Sequence, residues 1–185
     1  MLLNALKVQI SAHTHLGFCK DSLRQFILKL NLGLQEVRPW LRDPGDKPYG
    51  RSPVYSDSNL EVIVMTWSRN LPCLPHDHGQ AFGWVKILSG SVIHTVYEQD
   101  TPGSWPTAGQ QTLEETGTLL YAPPGMVHAM MAAPAEPVVT LHFYTPSIQE
   151  MRVFDLERKR ACIVADDCGA WWPEPHQLIR ELSHP

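Results

Sequence analysis

Apolar residues recur at three- and four-residue spacing only near the start of the chain. In DSLRQFILKL, Leu23, Phe26, Ile27 and Leu30 fall on one face of a helix, with Asp21 as its expected N-cap. Asn31 to Gly33 ends it, and LQEVRPWL predicts a second short helix with Pro39 near its end. RDPGDKPYGRSP, from Arg42 to Pro53, reads as a loop because prolines and glycines interrupt it throughout. Beyond Leu60 the texture changes to short β-branched and aromatic runs between turn residues. The expected strands are Leu60 to Trp67, Gly83 to Gly90, Ser91 to Glu98, Gly117 to Pro123, Val127 to Ala132 and Val138 to Pro146. LSGSV predicts a tight hairpin turn around Gly90, and TPGSWPTAGQQT, Thr101 to Thr112, reads as a loop. After Met151 the pattern predicts one or two more strands and a final helical turn. The expectation is a mainly β sandwich or barrel in a single domain: a helical cap over 1–45, a β-barrel over 46–150 and a C-terminal extension over 151–185.

Composition narrows what such a barrel can do. A chain of 185 residues that is 43% hydrophobic and 18% charged is long and apolar enough to bury a core, so disorder is excluded. Its 15 Lys and Arg against 19 Asp and Glu give a net charge of −4 without a basic stripe, which argues against nucleic acid and anionic membranes as partners. The longest uncharged stretch, Thr116 to Ala135, holds Pro123, Pro124, Gly125, His128 and Pro134, so it does not read as a membrane span. No export pattern stands in MLLNALKVQISAH. Cys19, Cys73, Cys162 and Cys168 lack the CxxC spacing of a structural zinc site and read as unpaired thiols. A reducing cytoplasm is therefore the expected compartment.

The histidines carry the candidate chemistry. In a strand, residues i and i+2 share a face, so His76 and His78 of HDH can point into one cavity while Asp77 faces away. Alone, such a pair is a weak signal. Downstream, Gly117, Pro123, Gly125 and His128 follow the spacing G-x5-P-x-G-x2-H, where a PPGMVH turn brings up a third imidazole. The two segments together resemble the paired motifs of the cupin superfamily, G-x5-HxH-x3,4-E-x6-G and G-x5-PxG-x2-H-x3-N, at His76, His78, Gly90, Gly117, Pro123, Gly125 and His128. Asn70 stands at the first glycine position, Gly83 at the glutamate position and Ala132 at the final asparagine position. The resemblance implies a cupin fold, a double-stranded β-helix or jelly-roll barrel, with N-terminal helices. Without the glutamate, a divalent ion would be held by three neutral histidines and would keep its full charge and open positions for anionic ligands.

A three-histidine cupin with these neighbours resembles the bacterial type of the cysteine dioxygenase family of thiol dioxygenases. The likeness runs from about Pro48 to Pro146, through PYGR, the strand ending at Trp67, HDHG, KILSG and LHFYTP. It implies a mononuclear Fe(II) cofactor at His76, His78 and His128, and O2-dependent oxidation of a small thiol, with L-cysteine leading, to a sulfinic acid. Thr140, His142 and Tyr144 alternate along one strand and share a face. They match the family's Ser-His-Tyr hydrogen-bond chain, with threonine in place of serine. Arg51 in PYGR matches the family arginine that clamps the substrate carboxylate, a use suited to its planar fork of donors. Gly83 occupies the position of a cysteine that crosslinks to the tyrosine in mammalian members, so Tyr144 is expected as an unmodified phenol.

Other readings stay open on the sequence. Arg69, in WSRN, is either a surface cation or a second anion site. The second use would suit a dicarboxylic thiol such as mercaptosuccinate, and 3-mercaptopropionate is a further alternative substrate. A non-catalytic metal-binding cupin and a zinc or nickel cupin with isomerase or hydrolase activity also fit three imidazoles, because these ligands do not choose among such metals. His94 has no motif around it and reads as structural. His13 and His15 form a second HxH without a partner motif, and His176 and His184 have no assigned task. The thiol and O2 are the only expected partners of a monomer or weak homo-oligomer. The summed picture is a pocket made cationic by a divalent ion and Arg51 inside a weakly acidic chain.

Overall fold

The computed structural model describes residues 8, 17–69, 71–101, 104–107, 109–134 and 136–183. His13, His15, Asn70 and His184 lie outside them. Helix α1 (Lys20–Leu30) buries Leu23, Phe26 and Ile27, the stripe expected from their spacing. Its cap is Cys19 rather than Asp21: the Cys19 backbone N–H donates to Ser22 Oγ at 2.9 Å, and Asp21 lies in the first turn beside the positive end of the helix. Helix α2 (Leu34–Val37) passes into a 3-10 turn (Arg38–Trp40), where Pro39 fits because a helix start needs no donor there.

Eleven strands follow among the described residues: β1 (Tyr49–Ser56), β2 (Glu61–Trp67), β3 (Phe82–Ser89), β4 (Ser91–Tyr97), β5 (Gly109–Glu115), β6 (Leu119–Ala122), β7 (His128–Ala132), β8 (Val139–Thr145), β9 (Arg152–Asp155), β10 (Arg160–Val164) and β11 (Leu178–Leu182). They form a five-stranded sheet ordered β1-β2-β8-β3-β6 and two three-stranded sheets, β5-β4-β7 and β11-β10-β9. The pairs within them are antiparallel.

The five-stranded sheet is buried on both faces, which is why its central strands read as continuous apolar runs. Val62, Val64, Leu141, Phe143 and Trp84 pack under α1. Ile63, Met65, Trp67, Val85, Ile87 and Tyr144 point to the other side and meet Ala129 and Met130 of the facing sheet. Each fully buried large aliphatic or aromatic side chain stabilises this two-sided packing by about 1.5–3 kcal/mol. Two polar ties fix the helical cap: the Trp84 indole donates to Lys20 O at 3.1 Å and Lys86 Nζ to Leu32 O at 2.8 Å.

Four expectations change. LSGSV is a corner and not a hairpin: β3 pairs with β6 and β8, β4 with β5 and β7, and Gly90 at φ 71° carries the chain from one sheet to the other. The loop expected to reach Pro53 gives way to β1 at Tyr49. Pro53 is accommodated because β1 is an edge strand with a register shift between Pro53 and Tyr55. GQQTLEE, expected largely as loop, is edge strand β5, whose side chains are nearly all exposed and so show no apolar alternation. The final helical turn is instead β11, paired to β10.

His76 joins the smaller sheets. Its backbone exchanges hydrogen bonds with His128 of β7, both at 2.9 Å, and it bridges Val153 of β9 on its other side.

Candidate active site

HDH is not a regular strand. His76 is an isolated bridge residue, and the chain turns immediately after His78. Asp77 faces away as expected, and its fully buried carboxylate accepts the Gly79 N–H at 3.1 Å, the Arg152 N–H at 3.1 Å and Arg152 Nε at 2.6 Å. The loop that carries two imidazoles is thereby clamped to β9. Gly79 adopts φ 58°, and a Cβ there would stand 2.4 Å from Gln149 O, so only glycine fits. On the facing side, the Pro123 to Gly125 turn, with Gly125 at φ 70°, delivers His128 to the first position of β7.

His76, His78 and His128 are all buried, and one nitrogen of each lies within 4.8 Å of the others. His76 Nδ1–H donates to Leu74 O at 2.9 Å, which leaves its Nε2 lone pair for the cluster. His128 Nδ1 and His94 Nε2 are hydrogen-bonded at 2.9 Å, with the rings nearly perpendicular, and this likewise turns His128 Nε2 inward; a metal at that Nε2 would make Nδ1–H the donor. His128 Nε2 and His78 Nε2 face each other at 3.3 Å. Burial lowers the His76 pKa to about 4 and holds His78 and His128 well below the usual range, with the neighbouring imidazoles adding to the shift. Three neutral, converging nitrogens with no carboxylate among them make a donor set that fits a borderline divalent metal such as Fe(II), Zn(II) or Ni(II).

The hydrogen-bond chain stands beside the cluster. Thr140 Oγ1 and His142 Nε2 are 2.7 Å apart, and His142 Nδ1 and the Tyr144 hydroxyl 2.9 Å. Tyr144 packs on the His78 ring with centroids 4.4 Å apart. Burial lowers the His142 pKa to about 3 and raises that of Tyr144 well above 10, so an imidazole and a phenol, both neutral, make up the chain. Trp67 extends it, donating its indole N–H to Thr140 Oγ1 at 2.8 Å. Gly83 pairs with Tyr144 across β3 and β8, and a Cβ at this position would come within 2.5 Å of the phenol ring. The close approach leaves room only for glycine.

Arg51 lies on β1 and lines the same pocket as the three histidines, His142 and Tyr144. It is not an open cation: its Nη2 is 2.5 Å from Glu61 Oε1, and Glu61 is buried. Arg69 is exposed and does not line the pocket, because it lies in the turn beyond Trp67 where β2 has ended. Of the two readings of Arg69, a surface cation or a second anion site, this exposed position favours the surface cation. The C-terminal extension supplies part of the wall through Val164, Ala165, Asp166, Cys168 and Gly169.

Three residues escaped the sequence reading. His94 alternates with Val92 and Val96 on a strand and looked like core. Trp67 looked like a strand end. Glu61 left a legible trace, since a single acid in LEVIVMTW shares its face with Ile63, Met65 and Trp67.

With these positions known, similarity to other proteins becomes interpretable. A zebrafish (Danio rerio) cysteine dioxygenase type 1 is 23% identical over 103 residues, 54% of this chain and 51% of that protein, so the match spans about half of the relative's length. A Klebsiella pneumoniae protein with a double-stranded β-helix domain superposes with a TM-score of 0.51 at 22% identity, covering 60% of this chain and 86% of that one. This structural likeness shows the fold, a double-stranded β-helix. The sequence model of the family described as cysteine dioxygenase type I matches residues 46–157, from just ahead of β1 to just beyond β9, and this chain belongs to that family.

Proposed function

We propose that this protein is a thiol dioxygenase that uses mononuclear Fe(II) and O2 to convert a small thiol, with L-cysteine as the leading substrate, into its sulfinic acid. The balance is R–SH + O2 → R–SO2H, in which both oxygen atoms end on sulfur and no external reductant is needed. The observation that carries this reading is the convergence on one pocket of the three imidazoles, Arg51, and His142 and Tyr144, with Thr140 hydrogen-bonded behind His142. Iron held by His76, His78 and His128 would bind the thiolate and activate O2. Tyr144 holds its hydroxyl in place against the His78 ring and presents it as a hydrogen-bond donor to the reacting groups. His142 and Thr140 fix the direction of that donor. Arg51 orients a carboxylate through the N–H groups that Glu61 does not occupy. The apolar walls from Ile63, Met65 and Met130 limit water at the sulfur.

The test is mass spectrometry of the product after anaerobic Fe(II) loading and exposure to O2 with and without L-cysteine. A gain of two oxygen atoms on the thiol is expected. Absence of sulfinate from every member of a panel that includes 3-mercaptopropionate, mercaptosuccinate and cysteamine would overturn the reading.

A further inference from the structure

Of the residues that line the pocket of the three histidines only Asp166 is exposed, so the mouth opens beside Asp166, in the loop after β10. The pocket holds about 30 Å³ of free space, room for roughly two or three waters. A thiol seated between the histidines and Arg51 fills that space and closes the mouth. The reaction proposed above still requires O2.

A larger space lies behind the histidines. Leu71, Pro72, Leu74, Ile93, Met131 and Trp171 line a groove of about 630 Å³. Ile93 and Met131 are cross-strand partners on the face of β4 and β7 opposite to His94 and Met130. The two cations at the groove are paired: Lys47 stands 3.8 Å from Glu174 and Arg158 3.1 Å from Asp155. What the groove offers a small molecule is therefore mainly apolar surface.

The wall between the two spaces is one chain thick. Leu71 to Pro75 forms no strand, and Cys73 and Leu74, which line the groove, stand directly behind His76. Leu74 O is 2.9 Å from His76 Nδ1, and Cys73 Sγ is 4.0 Å from it. Met130 lines both spaces. Its seam with Cys73 is weakly bonded: Cys73 N–H donates to Met130 O at 3.1 Å, but the Met130 N–H meets the Cys73 sulfur, also at 3.1 Å, in place of a carbonyl. Sulfur is a poor acceptor, and a methionine side chain turns about three bonds.

We propose that the groove is the entry for O2, which crosses into the histidine pocket at the Cys73–Met130 seam while the thiol occupies the mouth. An uncharged apolar gas is favoured on such surface over water, as xenon is in dry apolar cavities. The identity of the gas rests on the thiol dioxygenase reading. The groove and the seam do not depend on it.

Dissolved O2 is paramagnetic and relaxes the protons it approaches, so methyl NMR of the iron-free full chain under O2 against nitrogen locates it without turnover. Ile93, Met131 and buried Met130 are expected to be relaxed more strongly than exposed Leu28 and Ile179. In Cys73→Leu, which narrows the seam, the effect at Met130 should fall while that at Met131 persists. Initial rates of the Fe(II)-loaded full chain against O2 concentration supply a second readout. Ile93→Trp, which fills the groove from a half-buried position, is expected to raise KM for O2 about threefold, with kcat at saturating O2 and KM for L-cysteine unchanged. Cys73→Leu should act in the same sense, and Ile93→Trp carries the kinetic test should that variant fail to fold. The proposal is overturned by relaxation at Ile93 and Met131 no greater than at Leu28 and Ile179. Undiminished relaxation of Met130 in Cys73→Leu would make the mouth the route and overturn it too, as would an unchanged KM for O2 in both variants. Should no thiol be oxidised, the dioxygenase reading fails while the relaxation still decides whether the groove admits an apolar gas.

Discussion

The indole N–H of Trp67 donates to the Thr140 hydroxyl at 2.8 Å, and an indole can only donate. Thr140 is fully buried, and His142 Nε2 at 2.7 Å is its other partner, so the threonine proton is directed at that nitrogen. Neutral His142 then carries its proton on Nδ1 and donates it to the Tyr144 oxygen at 2.9 Å. The phenolic proton is left to point into the pocket. One tryptophan at the far end thus sets the polarity of the whole chain.

Trp67→Phe is expected to retain the fold and to lower kcat about tenfold with a smaller effect on KM, because the donor direction becomes degenerate. Thr140→Ser should behave nearly as wild type, whereas Thr140→Val should match or exceed the loss in Trp67→Phe. Steady-state kinetics of the three variants check this, and equal activity in all of them would remove Trp67 and Thr140 from the mechanism.

His94 is hydrogen-bonded to His128 Nδ1, on the far side of the ring from the histidine cluster, so it would steady His128 as a metal ligand. His94→Ala should weaken Fe(II) or Zn(II) binding by about 10- to 100-fold, the usual cost of losing a partner to a metal-bound imidazole. His94→Gln, which keeps an acceptor, should recover much of it. Competition with a chelator of known affinity measures both.

At Gly83 the relevant quantity is stability. Gly83→Ala would drive a methyl into the Tyr144 ring and the Phe143 carbonyl oxygen, 2.5 Å and 2.4 Å from the new atom. Overpacking of this kind costs about 1–3 kcal/mol and should displace the phenol, lowering both Tm and kcat. Thermal melts with kinetics on the same samples provide the check.

Metal-free protein should lose stability as the solution is acidified. Burial lowers His76 to about 4 and His142 to about 3 from the ordinary 6.5, so between these values the unfolded chain binds protons that the folded one refuses. Their contribution is complete above about pH 6.5 and declines as pH falls toward the folded values, at about 1.4 kcal/mol per pH unit for each histidine. Urea melts between pH 7.5 and 5 on the apo chain measure this slope; a flat profile would mean that these rings are not held neutral in the folded state.

The sequence made the barrel legible wherever a strand was buried, and the metal cluster legible because three spacings had to agree. It hid β5, since an edge strand with exposed side chains leaves no alternation to read. The corner at Gly90 was mistaken for a hairpin because a glycine between two strands looks the same whether the chain doubles back or changes sheets. His94 was hidden for a different reason. Its partner is 34 residues away in sequence, and nothing local distinguishes a buried imidazole that steadies a ligand from one that fills a core. Glu61 was visible but unread, as one acid in an apolar strand facing a barrel that also had to hold Arg51.

The backbone of His76 connects β7 to β9 while its ring belongs to the metal cluster. A metal held by these three histidines would consequently link its own occupancy to docking of the C-terminal sheet. An ion that binds only when His76 is in place must, by mass action, also hold β9 and β10 against the barrel. Amide exchange in those two strands should slow when metal is added, although neither contributes a ligand. The C-terminal extension, which supplies Asp166 and Cys168 to the pocket wall, would then be recruited by the same event that prepares the site for substrate.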